Sequence, residues 1–317
     1  MEMENYFTEE AIAFAVNQQM HLIEEEPLEE WLGDRQAAVP GTVGVIHPGN
    51  VPLAGLQDLL AVLGTGHRYL GRPSRRSAAL LPAWAEELRD VEPDLPIAFA
   101  ESVDDVLERA EAVIATGRDE TVGELEERCE ARGIEAEHRL FRGHSYGVAV
   151  IDGEETEEER EGLAEDVFLH EGRGCRNVAL VFAPAGLDPD PYFETFGHFR
   201  HVFPPHPETD GALEMARAFL EATDAPRAWG PGILISRGEP EVQGPGHLRW
   251  VEYEDEAAPQ TYVRSRPEEI QLVVARPDLA ERLDLPVSIC APGEAQRPRL
   301  GWCPDGMDTA GWLAGLA

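Results

Sequence analysis

A candidate nucleophile lies in the short segment Glu171–Asn177, which separates an acidic stretch from the apolar run Val178–Phe182. Cys175 is flanked there by Arg173 and Arg176. Nearby cations favour the thiolate, which is the reactive form of a thiol whose ordinary pKa is about 8.5. Glycines on both sides of Arg173 leave room for a substrate. A buried cysteine that only fills space is the commoner arrangement in proteins, and the local sequence leaves both interpretations open.

The charge balance of the chain is extreme. Of its 317 residues, 61 are acidic and 26 are basic, every basic residue is arginine, and the formal net charge is −35. This composition predicts a halophilic protein, because at molar salt the Debye length falls to about 3 Å and screens the repulsion. The same acidity argues against nucleic acid and anionic membranes as partners, since both bind broad positive surfaces. An anionic ligand must therefore find a local arginine cluster.

The four cysteines, at positions 129, 175, 290 and 303, show no Cys-x-x-Cys spacing. The N-terminal sequence lacks the basic and then apolar pattern of a secretory leader, and no apolar run approaches the ~20 residues that a membrane helix needs. We therefore expect a cytoplasmic protein with reduced thiols. Cys129 falls on the apolar face of a predicted helix and is expected to be part of the core.

Strand and helix patterns alternate along the chain, which predicts an α/β fold with a mostly parallel, doubly wound sheet. Ser102 and Thr156 have the pattern of helix N-caps, each with an acidic residue three positions later. Strands are predicted at 44–46, 67–70, 96–99, 112–116 and 146–151, and in the second half of the chain at 178–182, 232–236 and 270–275.

Ligands of such sheets bind beyond the carboxyl ends of the strands, and Asn50, Arg72 and Gly117 follow predicted strands. A second α/β unit is predicted to begin after Cys175. The predicted boundary at about 170–175 would place Cys175 at a domain cleft, where ligand sites are common.

Five motifs follow one another over roughly residues 40–317. They are His47–Pro52, Gly71–Ser74, Ala115–Gly117 through Gly123, Gly172–Cys175, and Gly293–Gln296 through Trp302, Asp305–Gly306 and Asp308–Thr309. Each motif alone is nonspecific, but in this order they resemble the LuxC-type acyl-CoA reductases of the aldehyde dehydrogenase superfamily.

The resemblance implies an aldehyde-dehydrogenase-like architecture. Residues 1–171 would form a helical lead-in and a Rossmann-like nucleotide-binding domain, residues 172–290 a smaller catalytic domain, and residues 291–317 a segment returning to the first domain. It also implies that Cys175 is the nucleophile and that Asn50, with the Cys175 backbone N–H, forms an oxyanion hole. A turn-forming role for Asn50, between Pro48 and Pro52, is the alternative.

The chain departs from the hydrolytic dehydrogenases at the residue that activates water. Those enzymes carry a glutamate where this sequence has Phe141, so we expect slow hydrolysis of an acyl-enzyme. His144 is an alternative base for activating water. The competing interpretation is that His144 has only a loop or hydrogen-bonding role.

Cofactor-binding residues implied by the resemblance are Arg72, Ser74, Arg75, Gly117 and Gly123. Relatives often carry a glutamate where Arg75 stands, and an arginine there would accept the 2′-phosphate of NADPH, with NADH as the alternative cofactor. The opposing interpretation is that these arginines belong only to the solvated surface.

His198, His201 and His206 form the densest histidine run, but three nearby prolines predict a loop, and we expect no metal site. The Trp302, Asp305 and Asp308 motif has no evident chemical role.

The resemblance, taken with these residues, implies NADPH-dependent reduction of a fatty acyl thioester, carried by coenzyme A or a carrier protein, to an aldehyde through an acyl-cysteine. An acyltransferase of the same fold without nicotinamide chemistry, and a non-catalytic paralogue, are the alternatives. Family analogy alone implies a homo-oligomer.

Overall fold

The computed structural model describes residues 7–25 and 28–316, which form two compact units. The first unit contains residues 12–25, 28–144 and 299–316, and the second contains residues 7–11 and 145–298. Each unit has its own sheet, and within the described residues the ten pairings between neighbouring strands are all parallel except one. The predicted α/β fold with parallel sheets is confirmed.

The helices are α1 (Glu9–Glu25), α2 (Leu28–Leu32), α3 (Leu56–Gly64), α4 (Leu80–Val91), α5 (Val103–Arg109), α6 (Asp119–Glu130), α7 (Glu157–Phe168), α8 (Asp190–Val202), α9 (Pro207–Ala222), α10 (Ala257–Arg264), α11 (Pro277–Ala280) and α12 (Thr309–Ala314). The strands are β1 (Thr42–Ile46), β2 (Arg68–Arg72), β3 (Ile97–Phe99), β4 (Ala112–Thr116), β5 (Arg139–Arg142), β6 (Tyr146–Val150), β7 (Val178–Pro184), β8 (Arg227–Gly230), β9 (Ile233–Arg237), β10 (His247–Tyr253), β11 (Ile270–Val274) and β12 (Ser288–Cys290).

The first unit is built on a five-stranded parallel sheet with the order β3-β2-β1-β4-β5. Its central strands are apolar runs that are almost completely buried, as expected where helices cover both faces of a parallel sheet. Helix α3 supplies Leu56, Leu59 and Val62 to the same core cluster as Val43 and Val45 of β1. The strand order reverses between β1 and β4, where doubly wound sheets form a ligand crevice.

A buried ion pair ties the C-terminal segment to this sheet. The Arg142 guanidinium at the end of β5 donates to both carboxylate oxygens of Asp58 on α3, at 2.9 and 3.0 Å, and to the hydroxyl of Thr309 on α12 at 2.7 Å. Both charged side chains are almost completely buried. Asp308 caps α12 by accepting from the Gly311 N–H. The Asp308–Thr309 part of the C-terminal motif is therefore an anchor of the first unit.

The second unit contains a seven-stranded sheet with the order β12-β11-β6-β7-β10-β9-β8, in which the edge pair β8–β9 is antiparallel. Strand β6 lies between β11 and β7 in this sheet and not in the first one. The sequence-based boundary after residue 171 therefore falls inside the second unit. Strand β6 and helix α7 continue the alternation of the preceding elements without a break in composition, so the pattern gives no sign of the change of sheet.

Local signals in the sequence locate the helix starts well. Thr156 and Glu159 form the reciprocal capping box predicted for α7, and the Ser102 side chain accepts from the Asp105 N–H at the start of α5.

The loop predicted around the three histidines is wrong in part. His198 and His201 lie on α8, which ends before the prolines, and His206 caps α9. Among the described helices, none is long and apolar enough to cross a membrane.

Removing one charge of the buried pair should destabilise the first unit. Asp58→Asn is expected to lower the free energy of unfolding by about 3–5 kcal/mol, because the Arg142 guanidinium would remain buried without its counter-charge. Urea unfolding in molar KCl measures the change. Glu130→Gln is the matched control, because its carboxylate pairs with Arg139 while 69% exposed, and it should shift stability by less than about 1 kcal/mol. Equal free energies of unfolding for the two variants would contradict the stabilising role given to the buried Asp58–Arg142 pair.

Candidate active site

Cys175 occupies a tight turn that immediately precedes β7. The Asn177 N–H donates to the Gly174 carbonyl at 3.0 Å, and the Gly174 N–H donates to the Asn177 side-chain oxygen at 2.7 Å. The cysteine is half-buried in this turn. It therefore lies at the amino end of a strand, opposite to the carboxyl ends at which ligand sites of parallel sheets are expected.

The Asn177 side chain attaches this turn to the end of α7. Its amide nitrogen donates to the carbonyls of Asp166 at 2.9 Å, Leu169 at 2.8 Å and Val167 at 3.3 Å, and the side chain is buried. The last carbonyls of a helix lack partners within the helix itself. One asparagine thus satisfies the helix terminus and fixes the position of the cysteine turn.

The chain enters the turn through consecutive left-handed residues, His170 with φ 54°, Glu171 with φ 63° and Gly172 with φ 66°. A Cβ on Gly172 would lie 3.0 Å from the Gly246 backbone nitrogen, so a side chain has no room there. Left-handed conformations at the two non-glycine residues cost of order 1–3 kcal/mol each and persist only where surrounding contacts enforce them. Burial lowers the pKa of His170 to about 4, so its imidazole is neutral at physiological pH.

The two arginines beside Cys175 have different surroundings. Arg173 contacts the first turn of α9, with its guanidinium 3.4 Å from the Thr209 hydroxyl and 3.6 Å from the Glu208 carboxylate. Arg176 donates from Nε to the Ala295 carbonyl. Burial lowers the pKa of Arg176, and electrostatic interactions with Cys290, Cys175 and Asp166 oppose that shift.

The other cysteines are poorly suited to nucleophilic chemistry. Burial raises the pKa of Cys129, whose side chain is completely buried among apolar residues, as predicted. Burial also raises the pKa of Cys290 to about 12 and, less strongly, that of Cys303. Each of these thiols is therefore protonated near neutral pH.

Asn50 lies in the loop that follows β1, in the first unit. Gly49 in this loop packs directly on Ser74, since a Cβ added to Gly49 would meet the Ser74 hydroxyl at 2.1 Å. His47, buried at the start of the loop, forms a hydrogen bond with the Tyr69 hydroxyl. Burial lowers the pKa of His47 to about 4. The loop is thereby held by neutral polar groups at the edge of the first sheet.

Four of the predicted cofactor residues, Arg72, Ser74, Arg75 and Gly117, end or directly follow strands of the first sheet, whereas Gly123 lies further along the chain on α6. Ile46 of β1 pairs in register with Arg72 of β2 and with Ala115 of β4, so the segments following these strands are neighbours. Ser74 caps a short 3₁₀ turn, and its oxygen accepts from the Arg76 N–H.

This edge has the features that a dinucleotide would need. The buried Nε of Arg72 has no hydrogen-bond partner among the described residues, and Arg75 is exposed. Gly117 directly follows β4, and Gly123 lies on α6, where an added Cβ would meet nothing within 4 Å. The arginine side chains at this edge fit the phosphates of a nucleotide, whereas the Gly117 N–H is already donated to the Arg142 carbonyl.

Phe141, which stands at the position of the hydrolytic glutamate by resemblance, lies on β5 and packs against a small core cluster with Cys129 and Val113. His144 is exposed, and its backbone N–H donates to the Asp119 carboxylate at 2.8 Å. Within the described ranges, no cluster of three or more His, Cys, Asp or Glu side chains could hold a metal ion.

Two residues that hold the cysteine turn in place are not predicted from the sequence. Asn177 is a close neighbour of Cys175 in the chain and belongs to no recognised motif, and Asp166 falls on a helix that is rich in acidic residues. Asp166 is fully buried and accepts from the Gly293 N–H at 2.7 Å and the Ala295 N–H at 3.0 Å. The signal that could have found it is an aspartate on the apolar side of α7, between Leu163 and Val167.

Comparisons with solved structures identify the fold. The chain is similar to PutA from Anabaena variabilis, a protein described as a putative aldehyde dehydrogenase, with a TM-score of 0.70, 13% identity, and coverage of 96% of this chain and 80% of that one. It is also similar to the glyceraldehyde-3-phosphate dehydrogenase GapN from Methanocaldococcus jannaschii, solved with NADP, with a TM-score of 0.66, 12% identity, and coverage of 89% and 73%.

A third similar structure is the 1-pyrroline-5-carboxylate dehydrogenase of Thermus thermophilus, with a TM-score of 0.64, 13% identity, and coverage of 87% of this chain and 64% of that one. The chain spans only 31% of a bifunctional proline utilization A protein. No family model and no curated protein sequence matches the chain. At these identities the comparisons establish an aldehyde-dehydrogenase fold and nothing narrower.

Asn177→Ala should loosen the cysteine turn. We expect the free energy of unfolding to fall by about 2–3 kcal/mol, because the Gly174 N–H and the α7 carbonyls lose their partners. Hydrogen exchange of residues 172–176 should accelerate in parallel. Gln243→Ala is the control, since that side-chain amide donates to the Glu241 carbonyl at the surface and its removal should change stability by less than about 0.5 kcal/mol. Unchanged exchange in Asn177→Ala would contradict the role given to the amide.

Proposed function

We propose, from the aldehyde-dehydrogenase fold and the Cys175 turn, that the protein is an NADPH-dependent reductase that converts a fatty acyl thioester to an aldehyde. The observation that carries this proposal is the half-buried thiol, held in a hydrogen-bonded turn beside Arg176, on a fold whose solved members include dehydrogenases.

The first step assigned to the chain is attack on the thioester. The Cys175 thiolate adds to the acyl carbonyl, and the oxyanion is stabilised by the Cys175 N–H and the Asn50 side-chain amide. One such donor is worth on the order of 10²–10³ in rate. The intermediate collapses when the carrier thiolate leaves and takes up a proton, and the acyl group remains on Cys175 as a thioester.

Arg72, Ser74, Arg75, Gly117 and Gly123 would hold the nicotinamide cofactor, which when bound supplies the hydride that reduces the acyl carbonyl. Cys175 then departs as thiolate, and the aldehyde is released. Phe141 offers no carboxylate to activate water, which favours reduction over hydrolysis of the acyl-enzyme.

The proposal is tested by replacing the nucleophile. With a long-chain acyl-CoA in molar KCl, the wild-type protein should consume NADPH and form aldehyde, whereas Cys175→Ala should consume none, because no acyl-enzyme can form. Cys303→Ala is the matched control and should retain activity. Circular dichroism checks that each variant is folded.

Two outcomes would overturn reduction. An acyl adduct on Cys175, seen by mass spectrometry without NADPH consumption, would indicate an acyltransferase. The absence of any adduct would indicate a non-catalytic protein.

The cofactor preference is tested at Arg75. Arg75→Glu should raise the Kd for NADPH about tenfold and leave that for NADH nearly unchanged, because a charge-assisted contact to the 2′-phosphate is lost. Arg109→Glu makes the same charge change away from this edge, at the carboxyl end of α5, and should alter neither constant. Equal weakening of both cofactors by Arg75→Glu would refute the 2′-phosphate role.

A further inference from the structure

We propose that Arg176 is a positioning residue that stabilises the Cys175 thiolate, and that the segment 291–296 and Asp166 hold its guanidinium in place. The expected effect on catalytic turnover rests on the proposed function, whereas the expected effect on the acidity of the Cys175 thiol does not. Two arginines lie beside Cys175 in the sequence, and the structure distinguishes them.

The turn lies at an unfavourable place for an anion. Asn177 binds it to the carbonyls at the carboxyl end of α7, where the helix dipole is negative. Many reactive cysteines gain their acidity from a helix amino terminus, and this arrangement is the reverse. A positive side chain is therefore required if the thiolate is to form near neutral pH.

Of the two neighbouring arginines, Arg176 fits this role. Arg173 points to α9, where the Glu208 carboxylate offsets its charge. Arg176 is half-buried, its Nε donates to the neutral Ala295 carbonyl, and its guanidinium lies within electrostatic range of the Cys290 and Cys175 thiols and of the Asp166 carboxyl group. A charge that is partly shielded from water acts more strongly than an exposed one.

The segment 291–296 is firmly attached to α7. Both Asp166 carboxyl oxygens accept backbone N–H groups of this segment, at 2.7 and 3.0 Å. Gly162 on α7 allows direct backbone contact, since its Cβ would lie 2.6 Å from the Pro292 carbonyl carbon. Arg297 pairs with Glu165 just beyond it. The Ala295 carbonyl that holds Arg176 is thus fixed relative to the cysteine turn.

The other titratable groups facing Arg176 come from α7 and β12. Burial raises the pKa of Asp166 to about 8 and that of Cys290 to about 12, which weakens both groups as counter-charges to Arg176 near neutral pH. Glu165 lies next to Asp166 and is paired with Arg297, and Glu294 influences Cys290. Of the two thiols near Arg176, Cys175 is therefore the one whose anion the Arg176 charge can stabilise.

The test is the pH dependence of Cys175 alkylation by iodoacetamide, followed by mass mapping of the Cys175 peptide. In the wild-type protein, the midpoint should lie below the ordinary thiol value of about 8.5. Arg176→Gln retains a donor for the Ala295 carbonyl but removes the charge. It should raise the midpoint by about one pH unit, which slows alkylation about tenfold at pH near 7.

Arg173→Gln is the matched control, with the same charge change two residues before the thiol, and it should leave the midpoint unchanged. Arg176→Lys keeps the positive charge and should bring the alkylation midpoint most of the way back to the wild-type value. A wild-type midpoint at or above about 8.5, or equal shifts from Arg173→Gln and Arg176→Gln, would overturn the proposal, and the first of these outcomes needs no variant to fold.

Turnover separates this inference from the proposed function. If the wild-type protein reduces acyl-CoA, Arg176→Gln should lower kcat about tenfold near pH 7, leave KM unchanged, and recover as the pH rises. If the wild-type protein does not turn over but the alkylation midpoints behave as described, the reductase assignment fails and the role of Arg176 stands. If the enzyme is active but Arg176→Gln leaves the midpoint unchanged, the role of Arg176 fails and the reductase assignment stands.

Discussion

The position of Cys175 depends on the hydrogen bonds of the Asn177 side chain. Its amide group closes the cysteine turn on one side and satisfies the end of α7 on the other. These bonds, with the close contact between Gly172 and Gly246, offset the cost of the left-handed conformations at His170 and Glu171. The Asn177 side chain binds main-chain atoms only. The geometry of the turn therefore does not depend on the side chains at the surface, and an extremely acidic surface is compatible with it.

That independence explains how a chain of net charge −35 can present a cationic environment to a thiol. Surface carboxylates act through water and salt, which weaken their field within about 10 Å at ordinary ionic strength and about 3 Å at molar salt. Arg142 and Arg176 act at short range and at least partly out of solvent, where screening is weak. Arg142 uses its charge to join α3, β5 and α12, whereas Arg176 lies beside Cys175, the proposed nucleophile.

The class of the fold, most strands, and the capping residues of α5 and α7 can be predicted from the sequence, because they follow from local periodicity and local hydrogen bonds. The departure of β6 from the first sheet cannot, because pairing partners far along the chain decide it. The roles of Asp166 and of the segment 291–296 are hidden for the same reason, since 129 positions separate Asp166 from Ala295. His198 and His201 lie on a helix and not in the predicted loop, because the nearby prolines end α8 without excluding the helix before them.

The two sheets carry their candidate chemistry at different ends of their strands, and electrostatics gives a reason. At the first sheet, segments following the carboxyl ends of β1, β2 and β4 carry the candidate nucleotide residues, in agreement with the general rule for parallel sheets. In the second sheet, the segments that follow β6 and β11 are joined by Asp152, which accepts two hydrogen bonds from Arg276 and one from Arg282. Ion pairs therefore occupy the carboxyl end of these strands. Cys175 lies at the amino end of β7, where the nearby helix terminus presents carbonyl groups and not N–H groups. A nucleophile there cannot draw on a helix dipole, so its acidity has to come from a side chain, and the residue that follows it is the arginine best placed to supply it.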